Sequence, residues 1–455
     1  MQQLVATVIR RTETGRRTTS TGLSARRLSL RVRVEGPVEK ALAVPDRVKG
    51  REMTIVREVP GRWGIRRGDT IVLSRKESAR ALCPRRASLP ELPSGADAVR
   101  LDTGDIDRDG FEEDRLSNAF VEAVLKPHRG ARLASLRDCG GVDRFAQPFE
   151  HIMAGKYVLL GGAEDLIFES GSPGKLWNAA LEREQGGAGE AVYGTKLKSP
   201  AHVRLRKRAW TEPGLPGVIT EVRIRYDGTS NDEAGRESAD EDRTAISYGI
   251  RLSTAVTGTA SRNVFDVPGP GGVKVVRYVR PPHGRRWRWR DWRDESFGLR
   301  GGFLISRHEV LGRPLMVLFS ARRALCVGIR NDLPGPEVVL RHRTVRLRAD
   351  AERPWGAAFL SGDASCASGK SALLLSRDRT GTRLAVSVRT ARRVERIRAS
   401  LLTAGGRRRL TLRPVEVPYA GHLHTGVLED LDAMRRLACR VRVADDVLRA
   451  ALEDA

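Results

Sequence analysis

Long apolar runs, paired cysteines and lysine are scarce in this chain of 455 residues. No apolar stretch approaches the roughly 20 residues that a membrane-spanning helix needs, which excludes such a helix. The N-terminus, MQQLVATVIRRTETGRR, holds only a short apolar patch and therefore has no secretory signal core. We expect a cytoplasmic protein that has no membrane partner.

The cysteines and histidines are scattered. The five cysteines are Cys83, Cys139, Cys326, Cys366 and Cys439. An odd number with no close pair argues against a disulfide framework and against a zinc site of the usual spacing. His422 and His424 would point to the same side of a strand and could share a metal, but the sequence offers no third ligand. We expect them to be surface histidines.

The charge balance is strongly basic, with a formal net charge of +25 and a pI near 10.8. Such a balance is compatible with nucleic-acid binding. However, the basic residues are mostly arginine and are spread along the whole chain, whereas a phosphate-tracking surface should concentrate its lysine and arginine on one segment. Nucleic acid is therefore a possible partner that the sequence does not favour.

Alternation of apolar and polar residues dominates the sequence and predicts antiparallel strands with one buried face. The clearest examples are residues 28–36, 218–226, 273–281, 337–349, 383–390 and 408–417. We predict an all-β chain with four parts: a small β module with a linker over 1–95, a large sandwich over 96–360, accessory strands over 361–420, and a helical tail over 421–455. The helix is predicted from apolar spacings of three and four near the end.

An acidic loop opens the predicted sandwich. Asp105, Asp107 and Asp109 occupy alternate positions of a D-x-D-x-D-G pattern, a glycine supplies the turn, and Glu113 follows at the ninth position. Calcium takes about six to eight oxygen ligands at flexible geometry, which this spacing can supply. The loop is not an EF-hand, because Leu116 stands where that motif has its bidentate glutamate. A calcium site formed by the three aspartates and Glu113 is predicted; the alternative is a solvated acidic turn.

The segment from Asp105 to Asp138 supports a family resemblance. An acidic loop, then a strand containing SNAFVEAVLKP, then HRGARLASLRD, resembles the β-domain that follows the catalytic barrel in family-57 glycoside hydrolases and related glucanotransferases. The resemblance implies a galactose mutarotase-like supersandwich of two large antiparallel sheets. One departure is Ala131, where the family pattern has the second glycine of a pair. The catalytic barrel itself has no counterpart, since no segment alternates strand and helix.

Two further segments are candidates for sugar binding. Glu164 and Asp165 follow the glycine pair at residues 161 and 162, where adjacent carboxylates could accept hydrogen bonds from sugar hydroxyls or act as acid and base. The alternative is a turn with two solvent-facing acids. Trp287, Trp289 and Trp292 lie in the strand-like segment HGRRWRWRDWRDE and could stack on pyranose rings. They could equally fill a core, or stack on bases while the arginines contact phosphates.

The octet ASCASGKS, residues 364–371, fits a permissive phosphate-loop pattern. A phosphate loop needs a helix after it. The residues that follow contain one short apolar run, then a turn and another strand, so we predict a hairpin.

These observations predict a protein that binds or processes carbohydrate, with calcium holding the entry loop of the sandwich. The sequence assigns no catalytic residue and leaves open whether the chain is an enzyme. The competing prediction is a basic β protein that binds nucleic acid or another polyanion through its Trp/Arg strand. Salt would weaken that binding steeply, whereas neutral-sugar binding would respond little.

Overall fold

The structure is a computed structural model of the whole chain. It describes residues 4–18, 24–37, 52–60, 65–73, 98–106, 111–138, 141–145, 152–154, 157–159, 162–169, 175–176, 181–184, 186–196, 202–228, 243–253, 263–269, 271–277, 302–308, 312–320, 324–330, 337–403, 406–429, 437–443 and 446–452. Within these ranges the chain is almost entirely strand, and the one helical element is a short 3-10 turn, Pro127–Arg129. The predicted all-β class with large antiparallel sheets is confirmed.

The strands fall into two compact units. The first holds the described residues of the ranges 1–90 and 103–113. Its four-stranded sheet has the order β3-β2-β1-β4. The strands are β1 (Leu4–Thr18), β2 (Ser24–Pro37), β3 (Glu52–Pro60) and β4 (Thr70–Val72). Alternate residues of β1 and β2, such as Val8 and Leu30, are fully buried and form the core of this unit.

The second unit contains three large antiparallel sheets. The ten-stranded sheet runs β22-β23-β17-β11-β8-β7-β6-β5, with β12 beside β11 and β24 beside β17. Its strands are β5 (Arg100–Gly104), β6 (Glu113–Ser117), β7 (Val121–Lys126), β8 (Arg132–Asp138), β11 (Gly162–Glu169), β12 (Lys175–Leu176), β17 (Arg243–Ser253), β22 (Ala324–Arg330), β23 (Glu337–His342) and β24 (Val345–Arg348). A separate pair joins β9 (Ile152–Ala154) to β10 (Tyr157–Leu159).

The nine-stranded sheet has the order β13-β14-β15-β16-β25-β21-β20-β18-β19. Its strands are β13 (Glu182–Glu184), β14 (Glu190–Lys196), β15 (Val203–Trp210), β16 (Gly217–Tyr226), β18 (Asn263–Gly269), β19 (Gly272–Arg277), β20 (Phe303–His308), β21 (Gly312–Phe319) and β25 (Glu352–Ser361). The ten- and nine-stranded sheets bury one core between them, in which Leu133, Val222 and Phe359 are at most 2% exposed. This pair of sheets is the predicted sandwich.

The eight-stranded sheet completes the second unit, in the order β26-β27-β28-β31-β30-β29-β32-β33. Its strands are β26 (Ala364–Ala367), β27 (Ala372–Arg377), β28 (Leu384–Thr390), β29 (Ile397–Thr403), β30 (Gly406–Val417), β31 (Gly421–Leu428), β32 (Leu437–Val443) and β33 (Asp446–Leu452). One face packs on the nine-stranded sheet through residues such as Leu360 and Leu423. Gly356 makes a close approach possible there, since a methyl group at this position would overlap the carbonyl oxygen of Pro418.

The predicted helical tail over 421–455 is wrong. The described residues of this range form β31, β32 and β33. In β32, Leu437, Cys439, Val441 and Val443 are buried while the residues between them are exposed, which is the period of a strand and not of a helix. Burial of these side chains in the eight-stranded sheet outweighs the local helix pattern.

Two smaller predictions also have outcomes. The hairpin predicted after the octet is confirmed, since β27 pairs antiparallel with β28 across a turn at residues 378–383. In the octet itself β26 pairs with β27, and the Ser368 hydroxyl accepts hydrogen bonds from the backbone N–H groups of Lys370 and Ser371. His424 is 1% exposed and its Nε2 lies 2.7 Å from the carbonyl oxygen of Val394, so it is not a surface residue.

The β6–β7 turn, within the segment that carries the family resemblance, is hydrogen-bonded to the β15–β16 turn through Asn118. The buried Asn118 amide group donates to Leu215 O at 2.7 Å, to Glu212 O at 3.0 Å and to Thr211 Oγ1 at 2.9 Å. Its carbonyl oxygen accepts from the backbone N–H groups of Phe120 and Val121. This one side chain therefore ties the β6–β7 turn of the ten-stranded sheet to the β15–β16 turn of the nine-stranded sheet.

Ala131, the departure from the family pattern, lies directly after Gly130. Both residues have positive φ, 46° for Ala131 and 71° for Gly130. This is the left-handed region that glycine adopts at no steric cost. The backbone thus keeps the conformation of a glycine pair although the second residue carries a buried methyl group.

Candidate functional site

The ten-stranded sheet has an apolar face toward the sandwich core and a charged face on its other side. On β11, Ala163 and Ile167 belong to the core, so Glu164 between them points the opposite way. The same alternation places one or two charged side chains outward on each of several strands. We call these residues the charged face: Asp102, Arg115, Glu122, Arg132, Arg137, Glu164 and Arg251.

Ion pairs connect these side chains across the strands. Arg115 donates to Asp102 Oδ2 from Nε at 3.2 Å and from Nη2 at 2.7 Å. On its other side, Arg115 Nη1 is 4.0 Å from Glu122, which is in turn 3.6 Å from Arg137 Nη1. The chain of alternating charge therefore crosses β5, β6, β7 and β8.

Glu164 is the centre of a second group on the charged face. Arg251 holds it with two guanidinium nitrogens, Nε at 3.0 Å and Nη2, and Arg132 Nη1 is 3.7 Å away. The Glu164 side chain is only 5% exposed. A carboxylate held by two arginines is fixed in orientation, and fixed polar groups are what recognition of a polar ligand requires.

Asp165 points the other way, into the sandwich core. Its Oδ2 is 2.5 Å from Lys207 Nζ, and its Oδ1 accepts a hydrogen bond from the Tyr248 hydroxyl. All three residues, which we call the Asp165 cluster, are at most 6% exposed. The Tyr248 ring also packs 5.3 Å from the ring of Trp355. Burial and the nearby Asp165 charge raise the pKa of Tyr248 well above its usual value, which keeps the phenol a proton donor.

A similar cluster lies further along the same interior. Asp114 on β6 accepts from the Tyr193 hydroxyl at 2.7 Å and pairs with Arg183 Nη2 at 2.8 Å. Burial and the Asp114 charge raise the pKa of Tyr193 well above its usual value. In both clusters a carboxylate of the ten-stranded sheet bonds a cation of the nine-stranded sheet. A buried charge is tolerated when it is paired and hydrogen-bonded, and these contacts fix how the two sheets lie on each other.

The predicted acid pair is thus divided between two environments. Glu164 and Asp165 lie on strand β11, not in a solvent-facing turn, and adjacent strand residues face opposite sides. Both are buried and ion-paired. Their role in sugar binding stays a prediction, and the geometry favours Glu164, on the charged face, over Asp165.

The predicted calcium ligands are only partly described. Asp105 and Glu113 lie within the described residues, while Asp107 and Asp109 lie outside them. Glu113 is fully buried and its Oε2 accepts the backbone N–H of Ile106 at 2.7 Å. Within the described ranges no three His, Cys, Asp or Glu side chains are grouped as metal ligands. Calcium binding by the whole loop stays a prediction.

Other predicted features also stay predictions. Trp287, Trp289 and Trp292 lie outside the described residues, and with them the proposed sugar platform and its nucleic-acid alternative. The part of the chain that the structure describes contains no helix with the length and hydropathy of a membrane span.

Sequence reasoning missed most of the charged face. Its arginines stand at alternate positions of strands, a signal that predicts an outward face but not a connected set of ion pairs. Glu122 and Arg137 are directly opposite each other on β7 and β8, a pairing that depends on the register of the two strands. The β11–β17 register likewise places Glu164 opposite Arg251 across more than eighty residues of sequence.

No protein-family model and no curated protein matches the sequence. Solved structures do match. A galactose mutarotase-like protein from Clostridium acetobutylicum matches with 9% identity over 59% of this chain and 100% of its own, at a TM-score of 0.40. The 4-alpha-glucanotransferase from Thermococcus litoralis matches with 11% identity over 63% of this chain and 41% of its own, at a TM-score of 0.31.

A TPR-domain containing protein from Parabacteroides distasonis matches with 13% identity over 56% of this chain, at a TM-score of 0.38. The match spans 47% of that protein, about half of its length. The matched structures thus include the two kinds of protein that the resemblance over Asp105 to Asp138 predicted.

Proposed function

We propose that the chain binds a carbohydrate on the charged face of its ten-stranded sheet. The observation that carries the proposal is the row of alternating charge from Arg115 through Glu122 to Arg137, which reaches solvent at Arg137, with the buried Glu164 group beside it. A carbohydrate ligand is also what the resemblance over Asp105 to Asp138 implies. The name of the matched 4-alpha-glucanotransferase refers to the same class of ligand.

The chemistry of the charged face suits hydroxyl groups. A sugar hydroxyl both donates and accepts hydrogen bonds, and the face alternates carboxylates that accept with guanidinium groups that donate. Neighbouring strands are about 4.8 Å apart, so donors and acceptors recur at the scale of one sugar ring. Because each group is held by its neighbours, little side-chain entropy is lost on binding.

The test uses a panel of neutral oligosaccharides against the full chain, read first by thermal melting and then by calorimetric titration. A ligand that binds the folded state raises the melting temperature. For the glycan that binds, Glu122→Gln should weaken the affinity several-fold, because it removes the negative charge and one of the two acceptor oxygens between Arg115 and Arg137 while keeping the size of the side chain.

The matched control is Glu352→Gln on the nine-stranded sheet. Glu352 is 43% exposed and pairs with Arg223, so the substitution makes the same change of charge away from the charged face. Glu352→Gln should leave glycan affinity unchanged. The proposal fails if no neutral glycan shifts the melt, or if both variants bind as the unsubstituted chain does.

We further propose that calcium holds the acidic loop. In support, Glu113 is buried and bonded to Ile106, which brings the two ends of the loop together. Calcium should raise the melting temperature, EDTA should reverse the rise, and Asp107→Ala should abolish it. An equal rise with magnesium, or a rise that persists in Asp107→Ala, would place any bound ion elsewhere.

A further inference from the structure

The eight-stranded sheet carries a basic surface that neither the charged face nor the calcium loop uses. On β30, β29, β32 and β33, alternate residues point away from the core of this sheet and are exposed. Six of these outward residues are arginines, which we call the arginine face: Arg398, Arg407, Arg409, Arg440, Arg442 and Arg449.

Strand register arranges these arginines as a grid. Ser400 lies opposite Arg409 on one side and Arg440 on the other, and Arg440 lies opposite Arg449. One row therefore crosses four strands and carries three guanidinium groups over roughly 14 Å, at about 4.8 Å per strand. Along a single strand, as from Arg440 to Arg442, the spacing is about 6.8 Å.

The arginine face differs from the other exposed arginines of the same unit. On the nine-stranded sheet, Arg204 pairs with Asp227 at 2.6 Å and Arg206 pairs with Glu184 at 2.9 Å. Around the arginine grid, by contrast, at positions 398–402, 407–411, 438–442 and 447–451, there is no aspartate or glutamate, and the exposed Glu416 lies at the other end of β30, opposite His422 of β31. The grid thus presents a concentration of positive charge with no acidic side chain between its arginines.

The remaining outward residues are small, hydroxylated or aliphatic. Leu402 is 61% exposed and Val447 is 38% exposed, the one opposite Arg407 and the other opposite Arg442. The four strands contain no aromatic residue. A single-stranded nucleic acid gains much of its affinity by stacking bases on aromatic rings, and this face offers none. Aliphatic groups between guanidinium groups suit a polymer that presents both anions and apolar C–H surfaces.

We propose that the arginine face binds an acidic polysaccharide, one that carries carboxylate groups on successive sugar units. Guanidinium groups match carboxylates in a bidentate geometry, and a row of them in register complements a row of anions. That the ligand is a sugar polymer and not a nucleic acid rests on the proposed carbohydrate function. That the ligand is an anion rests on the arginine grid alone.

The experiment measures binding of fluorescently labelled polygalacturonate oligomers to the full chain by anisotropy. The test variant is Arg440→Gln/Arg442→Gln/Arg449→Gln, and the matched control is Arg204→Gln/Arg206→Gln/Arg225→Gln, which removes three exposed strand arginines that have acidic partners. Thermal melts of both verify folding. The test variant should lose affinity roughly tenfold or more, since three exposed charge contacts of a few-fold each multiply. The control should change it less than about twofold.

Binding to the unsubstituted chain should weaken as salt is raised, because the contacts are exposed. Equal losses in the test and control variants would show an effect of net charge alone and overturn the proposal, as would the absence of polygalacturonate binding. Tighter binding of a 20-base-pair DNA duplex, lost in the test variant, would assign the face to nucleic acid instead. Neutral oligosaccharides and Glu122→Gln probe the charged face separately, so failure of either proposal is recognised independently.

Discussion

Asn118→Asp is the substitution that tests most directly how the two sheets of the sandwich are joined. It exchanges one NH2 group for one oxygen and changes the shape of the side chain very little. The amide donates to the carbonyl oxygens of Glu212 and Leu215, and an ionised carboxylate would face both as an acceptor. Thr211 cannot supply the missing hydrogen, because its hydroxyl donates to Gly217 O at 2.8 Å.

The expected loss is large. Two buried carbonyl groups lose their donor, at about 1–3 kcal/mol each, and a buried charge is added without a partner. Because the local structure can relax, we expect a total of about 3–5 kcal/mol of unfolding free energy. For a domain of a few hundred residues this corresponds to a fall in melting temperature of roughly 6–20 °C. Thr211→Val, which removes one acceptor of Asn118 and the donor to Gly217 O but adds no charge, should cost about 1–3 kcal/mol.

Urea unfolding at pH 7 and pH 5, followed by tryptophan fluorescence, measures both effects. The fold disfavours the ionised form of the introduced carboxyl, so its pKa in the folded state lies above the unfolded value of about 3.9. The penalty should therefore be smallest below about pH 4 and should grow as the pH rises through the folded pKa. A stability within about 1 kcal/mol of the unsubstituted chain at pH 7 would refute the role assigned to Asn118.

Three further predictions concern the interior. Lys207→Met should lower the free energy of unfolding in urea by about 3–5 kcal/mol, because it leaves Asp165 buried without its cation. Adding Asp165→Leu should restore much of that loss. A double variant no more stable than Lys207→Met alone would contradict this prediction. Because the pKa of Tyr248 is raised in the folded chain, its protonated phenol contributes fully to the unfolding free energy below about pH 10, and this contribution is lost as the pH rises further. The phenolate absorbance of Tyr248 at 295 nm should therefore appear only with alkaline unfolding. Titration of this phenol in the folded chain would argue against its burial. Gly356→Ala should destabilise by about 2–4 kcal/mol, whereas Gly187→Ala, where a methyl group meets nothing within 4 Å, should have little effect; equal melts for the two would show that the sheets do not approach closely at Gly356.

The sequence predicted the kind of structure better than the partners of individual residues. Period-two alternation identifies strands such as β15 and β16, and the all-β class follows from it. Strand β11 was missed because it is buried on both faces: Ala163 and Ile167 face the core, and Glu164 faces the other side with an ion pair. A strand buried on both sides shows no simple alternation, so the glycines before it predicted a turn instead.

The helix prediction near the C-terminus failed for a different reason. Leu448 and Leu452 are four residues apart, which is a helical spacing. Residues four apart also face the same side of a strand, and both leucines are buried on one face of β33. Both patterns fit such a segment, and the choice depends on the neighbouring β32, to which β33 pairs along its whole length. Contacts such as that between Asp165 and Lys207 are similarly inaccessible to local patterns, because they require the register of distant strands.

The two ends of the eight-stranded sheet lie against each other. The Ser368 hydroxyl, in the turn after β26, donates to Asp446 at the start of β33 at 2.8 Å, and β33 packs beside β26 and β27. An open sheet exposes unpaired backbone groups at its first and last strands, where another chain can add and aggregation can begin. Here the two edge strands shield each other, so growth by strand addition is disfavoured for this sheet. A partner would then have to approach it through side chains on a face.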